Sequence, residues 1–280
     1  MSKQLCSQAE PPLKRDRLRD GIVVVIVIFY AFSREVGALK RKFVTRAALE
    51  IAGLSGFRGK LGGAEVAAIA TGIGTDRACE AARRAFDSLS RDSLSRVDFA
   101  ISTGVAGALS EGLLPGDLVV ADRLIASTGA GSGRISNVSA ADLDRVKDAL
   151  RAAAVRFSTG AILTSDRPIL TAAEKRRAKS ATGAIAVDME SAALADAAQG
   201  RGIPFACVRA ILDTADEEVV GAELADADGH VRPIKAAGFI VRHPAAILTF
   251  SRIARNLGLA SKSIADAIEA IIRHGLEEPD

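Results

Sequence analysis

The sequence predicts an α/β protein: a three-layer fold with a twisted, mostly parallel or mixed sheet, flanked by helices and closed by C-terminal helices. Three observations predict it. From Gly21 onward, short runs rich in Val, Ile and Ala alternate with segments of helical period. The first of these runs, Ile22–Phe32, is unbroken, as in a strand buried on both faces. Glycine-rich loops follow several of the runs, on the side where open α/β sheets bind their ligands.

Ile22–Phe32 reads as the first strand. Lys14, Arg15, Arg17 and Arg19 precede it and give it the look of a signal sequence. It is too short to cross a bilayer, which takes about 20 residues, and Ser33-Arg34-Glu35 is a poor cleavage site. Ser33 is expected to cap a helix on which Val36, Leu39 and Phe43 share a face. Lys40, Arg41 and Lys42 cover the rest of it. Glu65–Thr71 reads as a strand that runs through Gly72-Ile73-Gly74 into a helix carrying Ala78, Ala82, Phe86 and Leu89 in step. Val97–Thr103 is a strand ending in Gly104-Val105-Ala106-Gly107. The turn Leu113–Asp117 leads into the strand Leu118–Ile125. Ser127–Ser136 reads as a Gly/Ser-rich loop and Ala140–Ala153 as a helix. Gly160–Thr164, Ile185–Val187 and Phe205–Ala210 are short strands, with helices at Ala172–Lys179 and Met189–Gln199. Residues 1–19, with Pro11-Pro12, read as a flexible extension and residues 20–280 as a single domain. Its part 216–280 is helical, with a loop around Asp226, Asp228 and Gly229 and helices near Pro244–Leu257 and Ser261–Arg273.

The composition narrows the function. With 280 residues, 49% hydrophobic and 25% charged, the chain can bury a large core and is not a disordered one. Its 37 basic and 34 acidic residues nearly cancel, and with aromatics at 4% and no Trp it has no stacking platform for nucleic acid. Cys6, Cys79 and Cys207 lie far apart, and form neither a zinc pattern nor a disulfide framework. His230, His243 and His274 show no ligand spacing. No metal site is expected, and the expected compartment is a reducing cytoplasm.

Two stretches carry chemistry. Gly72-Ile73-Gly74 opens a helix, where N–H groups and the helix dipole favour an anion. It fits neither GxGxxG, since residue 77 is Arg, nor a Walker loop, so by itself it reads as a tight turn. The second stretch is more specific. Asp188, Met189 and Glu190 stand where a strand meets a helix, and Ile203–Asp216 runs a buried strand straight into Asp213. A carboxylate at that end of a strand lies on the ligand side of the sheet.

VDMESAALA (187–195), then GIPFACVRAILDTAD (202–216), resembles the purine nucleoside phosphorylase and methylthioadenosine/S-adenosylhomocysteine nucleosidase superfamily. STGVAGAL (102–109) with LLPGDLVVAD (113–122), and the first strand with Ser33-Arg34-Glu35-Val36, extend the resemblance over most of Gly21 to Asp216. The resemblance implies a partly closed sheet, a homo-oligomer (dimer or larger), no cofactor, and cleavage of the N-glycosidic bond of a purine nucleoside, adenine above all. It implies that Asp213 protonates or hydrogen-bonds purine N7, that Glu190 holds the ribose hydroxyls, and that Met189 packs beneath the sugar. Arg209 would support the site by pairing with a carboxylate. Arg34 with the N–H groups of Gly72, Gly74 and Gly104 would hold phosphate as co-substrate, and Glu35 matches the base of the nucleosidases. Phosphorolysis is the expected reaction, with hydrolysis or a non-catalytic nucleoside-binding module as alternatives.

TSDRPI (164–169), TGAIAVDMESAALA (182–195), the loop near Gly229 and Arg242-His243-Pro244 resemble the hopanoid-associated phosphorylases. This narrower resemblance implies an adenosine with an apolar 5′ substituent. Phe239, Ile240, Val241, Ile247, Leu248, Phe250 and Ile253, with Arg242, His243, Arg252 and Arg255 beside them, read first as a core-packing helical pair. Under the narrower resemblance part of this stretch would instead line an apolar mouth beside the pocket or touch a membrane surface. Tyr30, Val105, Leu212 and Pro168 depart from the family pattern and make the expected pocket more apolar.

Overall fold

The computed structural model describes residues 23–91, 95–127, 132–219 and 246–276. The strands are β1 (Val23–Tyr30), β2 (Thr45–Ile51), β3 (Leu54–Leu61), β4 (Ala64–Ala70), β5 (Ser95–Ala108), β6 (Leu118–Ser127), β7 (Ser132–Asn137), β8 (Ser158–Thr164), β9 (Ala186–Asp188) and β10 (Phe205–Asp213). The helices are α1 (Gly37–Lys40), α2 (Thr75–Arg91), α3 (Ala140–Ala152), α4 (Ala172–Thr182), α5 (Ser191–Gln199) and α6 (Ala246–Gly275).

β1 lies at the centre, parallel to β4 on one side and to β5 on the other. Its alternation builds two cores. Val25, Val27 and Phe29 face α2 and α5, where they meet Ala82, Phe86 and Leu194. Ile26, Ile28 and Tyr30 face α1, α3 and α6, where they meet Leu39, Val146, Ile264 and Ile268. A period of two on a strand covered by helices on both faces gives three layers. The run that imitates a signal sequence is this buried strand.

β5 closes the sheet. It pairs with β1 as far as Ser102 and, further on, with β9 at Gly107 and Ala108. It also runs parallel to β10 from Ala100 to Gly107. β10 continues through β6 and β8 to β9. Five strands, β5, β10, β6, β8 and β9, thus form a ring, and β1, β4, β3 and β2 extend from it as a wing. The partly closed sheet implied by the resemblance is present.

Several elements differ from expectation. Ser33 does not cap a helix. α1 is a single turn starting at Gly37 with no side-chain cap, because residues 31–36 first curl around the Glu35 carboxylate. Phe43 leaves that helix and packs edge-on against Phe57, ring centroids 5.1 Å apart. The β2–β3 hairpin had no counterpart in the sequence reading. β2 is largely exposed, so it lacks an apolar stripe, and its turn residues Ala52 and Gly53 both have positive φ, as a two-residue hairpin turn requires. Ser132–Asn137, expected as part of a loop, forms β7 along β6. The two expected tail helices are one, α6, of 30 residues. Gly258 in its interior costs about 1 kcal/mol, and the buried stripe Ala260, Ile264, Ala267, Ile268 and Ile271 outweighs it.

The expected extension 1–19, the loop near Gly229 and the stretch Phe239–His243 lie outside the described residues, as do the side chains of Ile247, Leu248 and Phe250. Among the described residues no helix is long and apolar enough to cross a membrane.

Candidate active site

Glu35 sits just past the carboxyl end of β1 and is 1% exposed. Its Oε2 accepts the N–H groups of Ala31 (2.9 Å) and Phe32 (3.1 Å), and its Oε1 accepts that of Val105 (2.9 Å). Gly104 makes this approach possible. Its φ is +147°, and a Cβ there would collide with Glu35 Oε1 and Arg209 Nη1. Burial pushes the Glu35 carboxyl above its ordinary pKa, while Arg209 and the three N–H donors pull the other way.

Arg209, on β10, pairs with the carboxylate of Asp188. Nε meets Asp188 Oδ2 at 2.8 Å. Nη2 donates to Ser102 Oγ (3.0 Å) and Ser191 Oγ (2.8 Å) and lies 3.9 Å from Glu190 Oε2. Asp188 also takes the Thr164 hydroxyl at 2.7 Å and the Ser191 hydroxyl. The sequence reading noticed Asp188 and gave it no role.

Glu190 is buried at the start of α5. Its Oε1 accepts the Gly74 N–H at 2.8 Å and its Oε2 the Met189 N–H at 3.3 Å. Burial, with Asp188 and Glu35 adding negative charge, pushes its pKa up to about 7 against the pull of Arg209 and Gly74. Met189 is half-buried, and its carbonyl takes the Thr75 hydroxyl at 3.0 Å.

The expected phosphate cradle looks different in the structure. The Gly72 N–H is donated to the Ala31 carbonyl at 3.1 Å and the Gly74 N–H to Glu190. Arg34 is exposed, outside this buried cluster. Gly104 serves as space for Glu35 and Arg209.

Asp213 ends β10, four residues beyond Arg209 or about 13 Å along the strand. Gly107 on β5 lies against it, and a Cβ there would stand 3.2 Å from Oδ2. Its partner is Lys175, which is 0% exposed and which sequence reasoning missed. A capping box between Thr171 and Glu174 fixes the first turn of α4 ahead of Lys175. In the run Glu174-Lys175-Arg176-Arg177 this lysine looks like one more solvated charge. The only hint is its i, i+3 spacing from Ala178, which packs on the core. Burial raises the Asp213 pKa and Lys175 opposes that rise.

The site therefore has two ends. A buried carboxylate and guanidinium cluster (Glu35, Arg209, Asp188, Glu190) occupies the gap where β5 passes from β1 to β9. A second carboxyl, Asp213, stands at the tip of β10.

The family model described as the Phosphorylase superfamily matches residues 25–236. The 5'-methylthioadenosine/S-adenosylhomocysteine nucleosidase of Geobacillus thermodenitrificans is 31% identical over 208 residues, 68% of this chain and 84% of that protein. Among solved structures, the same kind of nucleosidase from Neisseria meningitidis, in complex with methylthio-immucillin-A, superposes with a TM-score of 0.69 at 21% identity, over 89% of this chain and 98% of the other. Futalosine hydrolase of Helicobacter pylori superposes with a TM-score of 0.68 at 18% identity, over 89% and 97%. These two likenesses establish the fold.

Proposed function

Since the chain belongs to the Phosphorylase superfamily and is an enzyme that cleaves nucleosides, we propose that it hydrolyses the N-glycosidic bond of an adenine nucleoside. One observation carries the choice of water over phosphate: Glu35 is a buried carboxylate held by three backbone N–H groups with Arg209 at its side. Phosphorolysis needs N–H donors aimed at an anion. The Gly72 and Gly74 N–H groups already have partners within the chain. Hydrolysis needs a base, and a carboxylate whose pKa burial raises is a stronger base than an ordinary Glu.

In this reading Asp213 gives a proton to purine N7 as the bond to the ribose breaks. An ordinary Asp titrates near 3.9, so the rise that burial causes suits it as an acid. Glu190 takes the ribose hydroxyls, and its negative charge, when ionised, favours the cation that develops at the sugar. Glu35 takes the proton of the water that attacks that carbon. Support for an apolar 5′ substituent comes from Leu212, part-buried beside Asp213 at the end of β10, whereas Val105 packs with the α6-side core.

The test is free base released from adenosine, methylthioadenosine and S-adenosylhomocysteine, with and without phosphate. Adenine and free sugar without phosphate are expected. Release only with phosphate, as the sugar 1-phosphate, overturns hydrolysis. Binding with no release in either buffer overturns catalysis altogether and leaves the nucleoside-binding module.

A further inference from the structure

Lys175 takes no part in the reaction just described, yet it is as buried as any charged residue here and touches the acid. Its ammonium donates to Asp213 Oδ2, to the Thr214 carbonyl and to the Glu217 carbonyl, the last at 3.0 Å. Three donors meet three acceptors, so the lysine is fully satisfied. The two carbonyls belong to the turn that follows β10. That turn is braced a second way: the Thr214 N–H goes to Glu217 Oε2 at 3.0 Å, and Arg252 on α6 holds Glu217 Oε1 at 3.3 Å.

Asp213 is thereby held by one oxygen. Oδ2 is engaged, and among the described residues Oδ1 accepts no hydrogen bond. We propose that Lys175 is a positioning residue for the acid: it clamps Asp213 Oδ2 and the 214–217 turn, leaves Oδ1 for purine N7, and through its charge sets the pH above which the acid loses its proton. The inference rests on Asp213 being the acid.

The charged groups facing Asp213 are Lys175 from α4, Glu217 from the turn and Arg252 from α6. Lys175 and Arg252 favour the carboxylate, and Glu217 disfavours it. Lys175 is in direct contact, so its charge dominates over the more distant Arg252. The sign follows. Asp213 works protonated, so the rate falls as pH rises through its pKa. Removing the adjacent cation raises that pKa, and the alkaline limb of the profile moves up.

Lys175→Met should therefore shift the alkaline limb of kcat/KM upward by about 1–3 pH units while lowering kcat below the limb by up to about 10²-fold, since the acid is no longer held in place. Lys175→Arg should leave the limb at its wild-type position, and Lys175→Gln should move it as Met does. A limb that stays put in Met and Gln variants that fold overturns the proposal, whatever they lose in melting temperature. Should neither fold, the wild-type enzyme is read by carbon-13 titration, with signals assigned by Asp213→Asn and Lys175→Arg. The Lys175 Cε signal should step at the pH where the Asp213 carboxyl steps, and the absence of that step overturns the coupling. Asp213→Asn separates the two readings. If it keeps wild-type turnover, the assignment of the acid fails. If it is inactive while the Lys175 variants leave the limb unmoved, the role of Lys175 alone fails.

Discussion

Arg209 and Asp188 meet at 2.8 Å inside the ring of strands, each with 1% of its side chain exposed. The pair links β10 to the end of β9 at the point where β5 changes partners. A buried pair of this kind is poor as a source of stability, because removing both ions from water offsets most of their attraction. Its value is geometric. With Ser102 and Ser191 also bonded to the guanidinium and Thr164 to the carboxylate, the pair is fixed in orientation, and Glu35 and Glu190 are arranged around it.

Asp188→Asn should for this reason act mainly on the fold. It leaves the Arg209 charge buried and without its closest partner, at a cost of about 3–5 kcal/mol. Asp188→Leu combined with Arg209→Met removes both charges and should be more stable than Asp188→Asn, though inactive. Urea midpoints of the three proteins decide the matter. A double variant less stable than the single one would mean that the pair itself stabilises the ring.

Glu35→Gln separates the base from the scaffold. A neutral amide cannot take the proton of water, so hydrolysis should fall by about 10²- to 10⁴-fold, and adding phosphate should not restore it. The variant should also lose about 1–3 kcal/mol. All three neighbours of the carboxylate are N–H donors, and the new NH2 group must face one of them. Turnover that survives in Glu35→Gln, or returns with phosphate, rules against a carboxylate base.

Glu190 gives stability a pH dependence whose sign can be worked out. Its carboxyl moves from an ordinary 4.5 to about 7 on folding, chiefly by burial. Below pH 4.5 both states hold the proton. Between 4.5 and 7 the unfolded chain releases it and the folded chain keeps it, so stability falls as pH rises through that window and levels off above it. Denaturation midpoints from pH 4 to 8 should trace this fall. Glu190→Gln should flatten it in part, with the raised Glu35 and Asp213 contributing to the residual slope. An unchanged slope in Glu190→Gln would mean the group titrates elsewhere. The same variant should bind ribosides less tightly and free adenine nearly as well, because a charge-assisted hydrogen bond to the sugar becomes a neutral one.

How far the site was legible in the sequence depended on what each residue's signal was. Asp213 and Glu190 stand at the ends of apolar strands, a position that the pattern of runs and loops discloses, and the buried strand β1 was plain for the same reason. Glu35 came only from a resemblance, since nothing local marks a glutamate two residues ahead of a four-residue helix. The partners of the Gly72 and Gly74 N–H groups were not legible, because a glycine pattern records a tight turn with accessible N–H groups and not which acceptor takes them. Here it is Ala31 and Glu190, distant in sequence. Lys175 was hidden among the charged residues of α4, where its burial is decided by the reach of one side chain to Asp213 and the 214–217 turn. The β2–β3 hairpin was missed because an exposed edge strand needs no apolar alternation.

Gly104 offers the sharpest test of how these parts fit together. Its φ of +147° is rarely adopted by other residues, and the space that a Cβ would occupy belongs to Glu35 Oε1 and Arg209 Nη1. Neither neighbour can withdraw easily. Glu35 is tied to Ala31, Phe32 and Val105, and Arg209 to Asp188, Ser102 and Ser191. Gly104→Ala should cost about 1–3 kcal/mol from the backbone alone, with more from the displaced carboxylate. Its effect on kcat should exceed its effect on KM, because the methyl group disturbs the base and its cation rather than Asp213 or the base-binding end. Gly107→Ala, three residues further along β5 and against Asp213, supplies the contrast. It should spare Glu35 and shift the alkaline limb instead. The pH profiles and denaturation midpoints of the two variants, measured side by side, show whether the two ends of the site act separately, and identical profiles would argue that they do not.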